Sequence, residues 1–343
     1  MDARKTVRLE WIQVGRAIAA LVVVASHMRP FSRTALNSSL QFGAMGVEFF
    51  FLLSGFIIYH AHRADIGSPK SLTNFLWKRA TRIFPTYWIA FFTVLLITFL
   101  FVSDVWRPQL SASFFLHELF LLPGHSMFVG PAWTLRHELL FYVFFALLIR
   151  FGAAGWALFG GWMVAAAINS ALAPPDMHPT GTGWQILLHH YNLDFALGLA
   201  AAMIEKREHR SRLFFASLCI AVPFLVAWQL LGGTAASWCQ IVGYKFAFLT
   251  VLIGAVLLSL RGIPAPSFMV FLGAASYAIY LLNRDVGFTM DRVFNHISPG
   301  LGDSWLGFIF SFAAAALAGV MLYVLFERPV LRHLGRIGAR FRP

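Results

Sequence analysis

The stretch GAMGVEFFFLLSGFIIYH (residues 43–60) contains one acidic or basic side chain, Glu48, besides its terminal histidine. A helix crosses the hydrocarbon core of a bilayer with about 20 mostly apolar residues, so these residues are predicted to span a membrane. Nine similar runs lie on either side of it. They cover residues 12–28, 85–103, 133–151, 154–172, 185–204, 213–231, 238–259, 268–286 and 303–327.

The composition agrees with ten such helices. Of the 343 residues, 59% are hydrophobic and 12% are charged, whereas about a quarter of the residues in a soluble domain are charged. No low-complexity linker divides the chain. We therefore predict an all-α, polytopic membrane protein with ten transmembrane helices that form one domain over residues 1–343. The segment FFLHELFLLPG (114–124) is too short to span and is predicted to be interfacial or re-entrant.

The basic residues predict the orientation, because Lys and Arg accumulate in cytoplasmic loops. If both termini lie in the cytoplasm, most Lys and Arg residues fall in cytoplasmic segments. An odd number of spans would remove this excess of basic residues on the cytoplasmic side. The net charge of +12 is then a topology signal rather than a sign of nucleic-acid binding. Since Arg16 interrupts the first apolar run, we expect an uncleaved helix rather than a signal peptide. The outside loops hold only Arg29, Arg33, Arg107, Arg284 and Arg292.

Ionisable side chains at membrane depth mark candidate functional sites, because they are costly there. Two sets follow from the topology, although the sequence does not say whether either converges, and interface anchoring is the alternative for each residue. Asp194 and Lys245 either pair with each other or line the site. The outer set is His27, Glu48, Arg136, His137 and Glu138, and the inner set is Arg16, Arg79, Arg82 and the pair Glu327-Arg328.

Arg16 and His27 are eleven residues apart on the first helix. At about 100° and 1.5 Å per residue they share one face and are separated by about 16 Å. This arrangement suits a long anionic cofactor that enters from the cytoplasm with its reactive end at His27. Alternatively, Arg16 extends to the inner interface and His27 sits passively in the outer one.

Several motifs resemble those of the membrane-bound acyltransferase 3 family, whose members O-acylate bacterial surface polysaccharides and lipopolysaccharide. The resemblance covers nearly the whole chain in the expected order. Its opening RLEWIQVGRAIAALVVVASH (8–27) is similar to the exopolysaccharide acetyltransferase branch. The other matching segments are GAMGVEFFFLLSGFII (43–58), RATRIFPTYW (79–88), PAWTLRHELLFY (131–142), FLGAASYAIYLLN (271–283) and FERP (326–329).

The resemblance implies transfer of an acyl group, with acetyl expected, from cytoplasmic acyl-CoA to a hydroxyl of a polysaccharide or lipid-linked glycan at the bacterial inner membrane. It implies His27 as general base, in a ternary complex or as acyl carrier, with Glu138 as its orienter or an accessory acid/base. Arg16, Arg79 and Arg82 would hold acetyl-CoA, and no metal is expected. The substrate-binding candidates are Glu48, Trp133, Tyr142 and Asn283.

One position departs from the family pattern. The family often has His where this chain has Asn283, and an amide cannot act as a general base near pH 7, although it can donate or accept hydrogen bonds. No proton transfer is therefore assigned to Asn283, which leaves His27 as the candidate base.

The alternative function is a transporter or flippase for a glycan precursor. Internal repeats and Gly/Pro-broken helices near the midplane would indicate it, and the sequence shows neither clearly. A further alternative is an enzyme whose acceptor lies on the cytoplasmic face. The two cysteines, Cys219 and Cys239, are expected near opposite membrane faces, too far apart for a disulfide.

Overall fold

The computed structural model describes residues 9–29, 31–34, 42–101, 110–124, 127–172, 183–204, 206–231 and 233–338. The structure is 87% helical and has no strands among these residues, so the all-α prediction is confirmed. Both cysteines are free thiols, as expected. The basic residues Arg4, Lys5, Arg8, Arg107, Arg340 and Arg342, on which part of the orientation depends, lie outside this part of the chain.

Thirteen α-helices make up the described part of the chain. Helix α12 continues through a π-helical turn, Tyr323–Glu327, into α13. The helices are α1 (Glu10–His27), α2 (Phe42–His62), α3 (Leu72–Phe101), α4 (Ala112–Leu119), α5 (Trp133–Phe151), α6 (Ala153–Leu172), α7 (Gly183–Leu187), α8 (Asn192–Met203), α9 (Arg207–Leu230), α10 (Gly233–Leu260), α11 (Ser267–Ile297), α12 (Trp305–Leu322) and α13 (Arg328–Gly338).

Seven helical segments are long and apolar enough to cross a membrane, among the residues described. They coincide with seven of the ten predicted runs, so the chain is a multi-pass membrane protein. Of the other three runs, 12–28 and 268–286 are helical and 185–204 is interrupted, and none of them meets the same criterion. The count of ten and the side of each terminus remain predictions. The seven are Met45–Asp65, Pro69–Leu100, Gly130–Phe151, Ala153–Leu172, Arg207–Leu230, Ser237–Leu260 and Trp305–Gly338.

Helix α1 lies inside the bundle, packed against α2, α10 and α11. It runs parallel to α11, because Gly273 contacts the Gln13 carbonyl near one end and Gly287 contacts Met28 near the other. A helix enclosed by other helices meets protein rather than lipid. It can therefore carry polar residues such as Arg16 that lower its mean hydropathy.

Glycines bring α2 close to its neighbours. A Cβ on Gly43 would meet the Ser26 hydroxyl of α1 at 2.8 Å, and one on Gly46 would meet Val23. The two glycines therefore serve packing, since small residues let helix backbones approach. On its other side α2 packs on α8, where Gly198 abuts the Leu52 carbonyl.

The run 185–204 is not one helix, contrary to the prediction. Helix α7 ends at Leu187 and α8 begins at Asn192. The Asn192 side-chain amide donates to the carbonyls of Ile186 and Leu187, at 2.8 and 3.0 Å, and the Trp162 indole donates to Leu187 at 2.7 Å. These side chains satisfy the carbonyls at the end of α7, so the break leaves them paired without water.

The short helix α4 lies against α3 and does not span. At about 1.5 Å per residue its eight residues cover about 12 Å. The Tyr87 hydroxyl donates to the Glu118 carbonyl and the Trp88 indole to the Leu119 carbonyl, both at 2.9 Å. The expectation that 114–124 is too short to cross a membrane agrees with this arrangement.

Candidate active site

A cavity opens between α1, α2, α3, α5 and α11. It contains about 860 Å³ of empty space, part of it open to the outside. Apolar residues such as Val47 and Ile83 form much of the wall, and polar groups from all five helices point into it. The polar lining residues are Arg16, Ser54, Arg79, Arg82, Thr134, Glu138, Tyr142, Ser276, Tyr277 and Tyr280.

Three arginines of the inner set converge on this cavity, which we call the arginine cavity. Arg82 is ion-paired with Glu327, and its guanidinium lies 5.2 Å from the centre of the Tyr277 ring. The Arg16 guanidinium lies 3.4 Å from the Gln13 amide oxygen. The sequence could place these arginines near one membrane face, and the structure brings them together around one space.

Arg79 is held by aromatic rings rather than by a carboxylate. Its guanidinium lies 5.7 Å from the Tyr142 ring centre and 5.9 Å from that of Phe75. The buried Nε atom makes no hydrogen bond to any described residue. Rings that face a guanidinium hold it without using up its N–H donors. Arg79 therefore keeps donors for an anionic ligand.

Glu138 lies in the same cavity as the arginines. Its carboxylate accepts hydrogen bonds from Ser54, at 3.3 Å, and from the Tyr142 hydroxyl one turn along α5. The sequence placed Glu138 in the outer set, at the depth of His27. Helix α5 instead turns Glu138 toward the arginines, and His27 does not line the cavity.

His27 ends α1 and is half-buried. Its Nδ1 atom lies 2.9 Å from the Val23 carbonyl. Since a carbonyl can only accept, the hydrogen bond assigns the proton of the neutral ring to Nδ1 and leaves Nε2 as the proton acceptor. We expected a carboxylate to fix this tautomer, and a main-chain carbonyl does so.

Tyr280 lines the cavity and lies three residues before Asn283 on α11. Its hydroxyl lies 3.2 Å from the Thr134 hydroxyl and 3.3 Å from the Pro131 carbonyl, which links α11 to α5. Asn283 is fully buried and donates to the Tyr280 carbonyl. The Asn283 Oδ1 atom has no partner among the described residues.

Glu48 lies in a different buried group. Lys245 Nζ is 2.8 and 2.7 Å from the two Asp194 carboxylate oxygens and 3.9 Å from Glu48 Oε2. Of the two alternatives for Asp194 and Lys245, the pairing is therefore the observed one. Glu48, predicted to bind substrate, contacts this pair and does not line the cavity.

The rest of the predicted outer set is also dispersed. The His137 ring is buried and its Nδ1 lies 3.1 Å from Asn192 Oδ1. Trp133 packs near it, with 5.9 Å between ring centres, and does not line the cavity. Arg136 donates to the Leu122 carbonyl at 2.5 Å. The outer set therefore does not form one site.

Five polar lining residues were missed in the sequence analysis, namely Ser54, Thr134, Ser276, Tyr277 and Tyr280. Ser54 gave no local signal, because its partner Glu138 is 84 positions away. Ser276, Tyr277 and Tyr280 belong to the segment 271–283, and their spacing would have pointed to a shared helix face.

The chain is similar to three curated proteins of comparable length. It is 28% identical to the exopolysaccharide production protein ExoZ of Rhizobium meliloti (strain 1021), over 84% of this chain and 90% of that protein. It is 25% identical to Nodulation protein 10 of Rhizobium leguminosarum bv. viciae, over 85% and 83% of the two chains. It is 26% identical to Acyltransferase MdmB of Streptomyces mycarofaciens, over 97% and 94%.

No solved structure matches the chain significantly. The profile of the acyltransferase domain of the acyltransferase 3 family matches residues 9–324, which include the whole lining of the cavity. This match extends over far more than half of the chain. The chain therefore belongs to the acyltransferase 3 family and is an enzyme that transfers acyl groups.

Proposed function

We propose that the enzyme transfers an acetyl group from acetyl-CoA to a hydroxyl of a polysaccharide or lipid-linked glycan precursor at the bacterial inner membrane. The observation that carries the proposal is the convergence of Arg16, Arg79 and Arg82 on one cavity. The similarity to an exopolysaccharide production protein supports a glycan acceptor.

The cavity fits the chemistry of the donor. Coenzyme A joins an anionic nucleotide diphosphate to a long, mostly uncharged pantetheine arm. Guanidinium groups suit phosphate oxygens, because their planar fork donates parallel hydrogen bonds. The Arg79 Nε atom, which makes no hydrogen bond to a described residue, is suited to this purpose. The apolar walls with scattered hydroxyls beyond the arginines suit pantetheine.

His27 serves as the general base in this proposal. Its Nε2 accepts the proton of the acceptor hydroxyl as the hydroxyl oxygen attacks the thioester carbonyl carbon. The carbon–sulfur bond then breaks, and the sulfur of CoA leaves with the bonding pair and takes up a proton. The hydrogen bond from Nδ1 to Val23 supports this role because it presents Nε2 as the acceptor.

Glu138 serves as an accessory group rather than as the orienter of His27. It is a carboxylate inside the cavity that two hydroxyls hold and that forms no ion pair with a described residue. Since His27 does not line the cavity, the acyl end must extend beyond the cavity to reach it.

The test uses purified protein in nanodiscs, radiolabelled acetyl-CoA and a glycan acceptor. We expect label in the glycan with the wild type and strongly reduced label with His27→Ala or Arg16→Ala. His209→Ala and Arg212→Ala are matched controls, because both residues are exposed on α9, away from the cavity.

Two results would count against the proposal. If folded His27→Ala acetylates at the wild-type rate, His27 is not the base. If the wild type moves no label from acetyl-CoA, the donor is wrong, and a transporter would also give this result. No observation favours the transporter, whereas family membership supports acyl transfer.

Labelling of inside-out and right-side-out vesicles distinguishes a cytoplasmic from an external acceptor.

A further inference from the structure

A second depression lies between α3 and α13. It contains about 820 Å³ of empty space, and Arg79 and Arg82 line both it and the arginine cavity. The two spaces are therefore neighbours on either side of the same two guanidinium groups. We call the second one the α3–α13 groove.

Helix α13 forms one wall of the groove and docks on α3 through Trp77. The Trp77 indole donates to the Leu334 carbonyl at 3.3 Å, and Gly338 lies directly against the indole. Gly335 also lines the groove, but a Cβ there would meet nothing within 4 Å. The wall is fixed at Trp77 and leaves open space beside Gly335.

The groove contains polar groups that the helix packing does not satisfy. Asn74 is 7% exposed, and its Oδ1 atom accepts no hydrogen bond from a described residue. A buried amide oxygen without a donor is unfavourable, so it indicates a missing ligand N–H or water. Lys78 is exposed at the groove and adds an ammonium group near the two arginines.

We propose that the α3–α13 groove binds the adenosine 3′-phosphate end of coenzyme A. This inference rests on the proposed donor. A ligand that occupies both spaces must be long and anionic in the middle, because the shared wall consists of Arg79 and Arg82. The diphosphate lies at these arginines and pantetheine extends into the cavity, which leaves the nucleotide in the groove.

Each part of the nucleotide then meets a matching group. The 3′-phosphate pairs with the Lys78 ammonium group. This group is a compact point charge, and such a charge binds phosphate well. The exocyclic amine of adenine donates to Asn74 Oδ1. The apolar faces of Trp77 and Leu331, which also line the groove, contact the adenine ring. The anionic headgroups of phosphatidylglycerol and cardiolipin carry no N–H for Asn74, so the nucleotide explains more of the groove than these lipids do.

The test compares the binding of three probes, CoA, 3′-dephospho-CoA and 4′-phosphopantetheine, to purified protein in nanodiscs by calorimetry. We expect the wild type to bind CoA about tenfold more tightly than 3′-dephospho-CoA, as for one charge-assisted contact. Lys78→Ala should abolish this preference and leave the affinity for 3′-dephospho-CoA unchanged. Lys70→Ala, which removes an exposed lysine outside the groove, should retain the preference.

A second variant fills the groove without touching the arginines. Gly335→Trp adds a side chain where the structure has room, and glycine is a poor helix former, so the variant should fold. It should weaken CoA binding at least tenfold and leave the binding of 4′-phosphopantetheine unchanged.

The outcomes separate this inference from the proposed function. If Lys78→Ala keeps the preference for CoA, or Gly335→Trp binds CoA like the wild type, the groove is not the nucleotide subsite although CoA remains the donor. If the wild type does not bind CoA, the proposed donor fails and the inference fails with it.

Discussion

Replacing Lys245 with methionine removes an ammonium group that two buried carboxylates share. Lys245 Nζ contacts both oxygens of Asp194, at 2.8 and 2.7 Å, and lies 3.9 Å from Glu48. The side chains of both acids are 1% exposed. Methionine is similar in length but carries no charge, so the variant isolates the electrostatic effect from the loss of volume.

The expected loss is large because removing one partner leaves buried charge without compensation. Such changes destabilise a folded protein by about 3–5 kcal/mol, which is a factor of about 10² to several times 10³ in the folding equilibrium. The measurement is unfolding in mixed detergent micelles, followed by circular dichroism as the fraction of denaturing detergent rises. Lys206→Met, at an exposed position, should change stability by no more than about 0.5 kcal/mol.

The double variant Lys245→Met/Asp194→Asn tests whether the loss of the Lys245–Asp194 ion pair causes the lower stability. Removing both charges should recover part of the loss, with a coupling free energy of about 2 kcal/mol. The fraction that folds should keep its acyl-transfer rate, because neither residue lines the arginine cavity. The reasoning would be refuted if Lys245→Met were as stable as the wild type. It would also be refuted if the stability lost by the double variant were simply the sum of the losses of the two single variants.

Two further predictions concern packing and the cavity. Gly198→Leu should destabilise the protein by about 3 kcal/mol or more. A Cβ at this position overlaps the Leu52 carbonyl, which is main chain and cannot move away. Overpacking costs about 1–3 kcal/mol even where side chains can move. Detergent unfolding measures this loss, and Gly160→Leu, with nothing within 4 Å, should match the wild type. Tyr142→Phe, which removes a donor to Glu138, should lower kcat about tenfold with little change in the KM for acetyl-CoA; an unchanged kcat in steady-state assays would contradict the role of this hydrogen bond.

Most of the helices could be predicted from the sequence, because a membrane span must satisfy its backbone hydrogen bonds within itself. An apolar run of sufficient length therefore predicts a helix without knowledge of its neighbours. The run 185–204 shows the limit of this reasoning. Its break depends on Trp162, which caps the end of α7 from 25 positions away.

The candidate site was predictable in part. Arg79 and Arg82 lie three residues apart on α3, so the sequence alone places them together near one end of that helix. Their meeting with Arg16 required α11, against which both α1 and α3 pack. Glu48 and Glu138 show the opposite result, since both were assigned to one outer set, and the structure separates them.

The sequence by itself determined the helical membrane class and the separation of about 16 Å between Arg16 and His27, because position along a helix is fixed at about 1.5 Å per residue. Only the tertiary structure decided which charges meet. A contact also depends on the direction in which each helix turns its side chains and on the neighbour that packs there. Ser54, which donates to Glu138, and Asp194, which pairs with Lys245, lie on other helices, 84 and 51 positions away in the chain, and no local pattern encodes those distances.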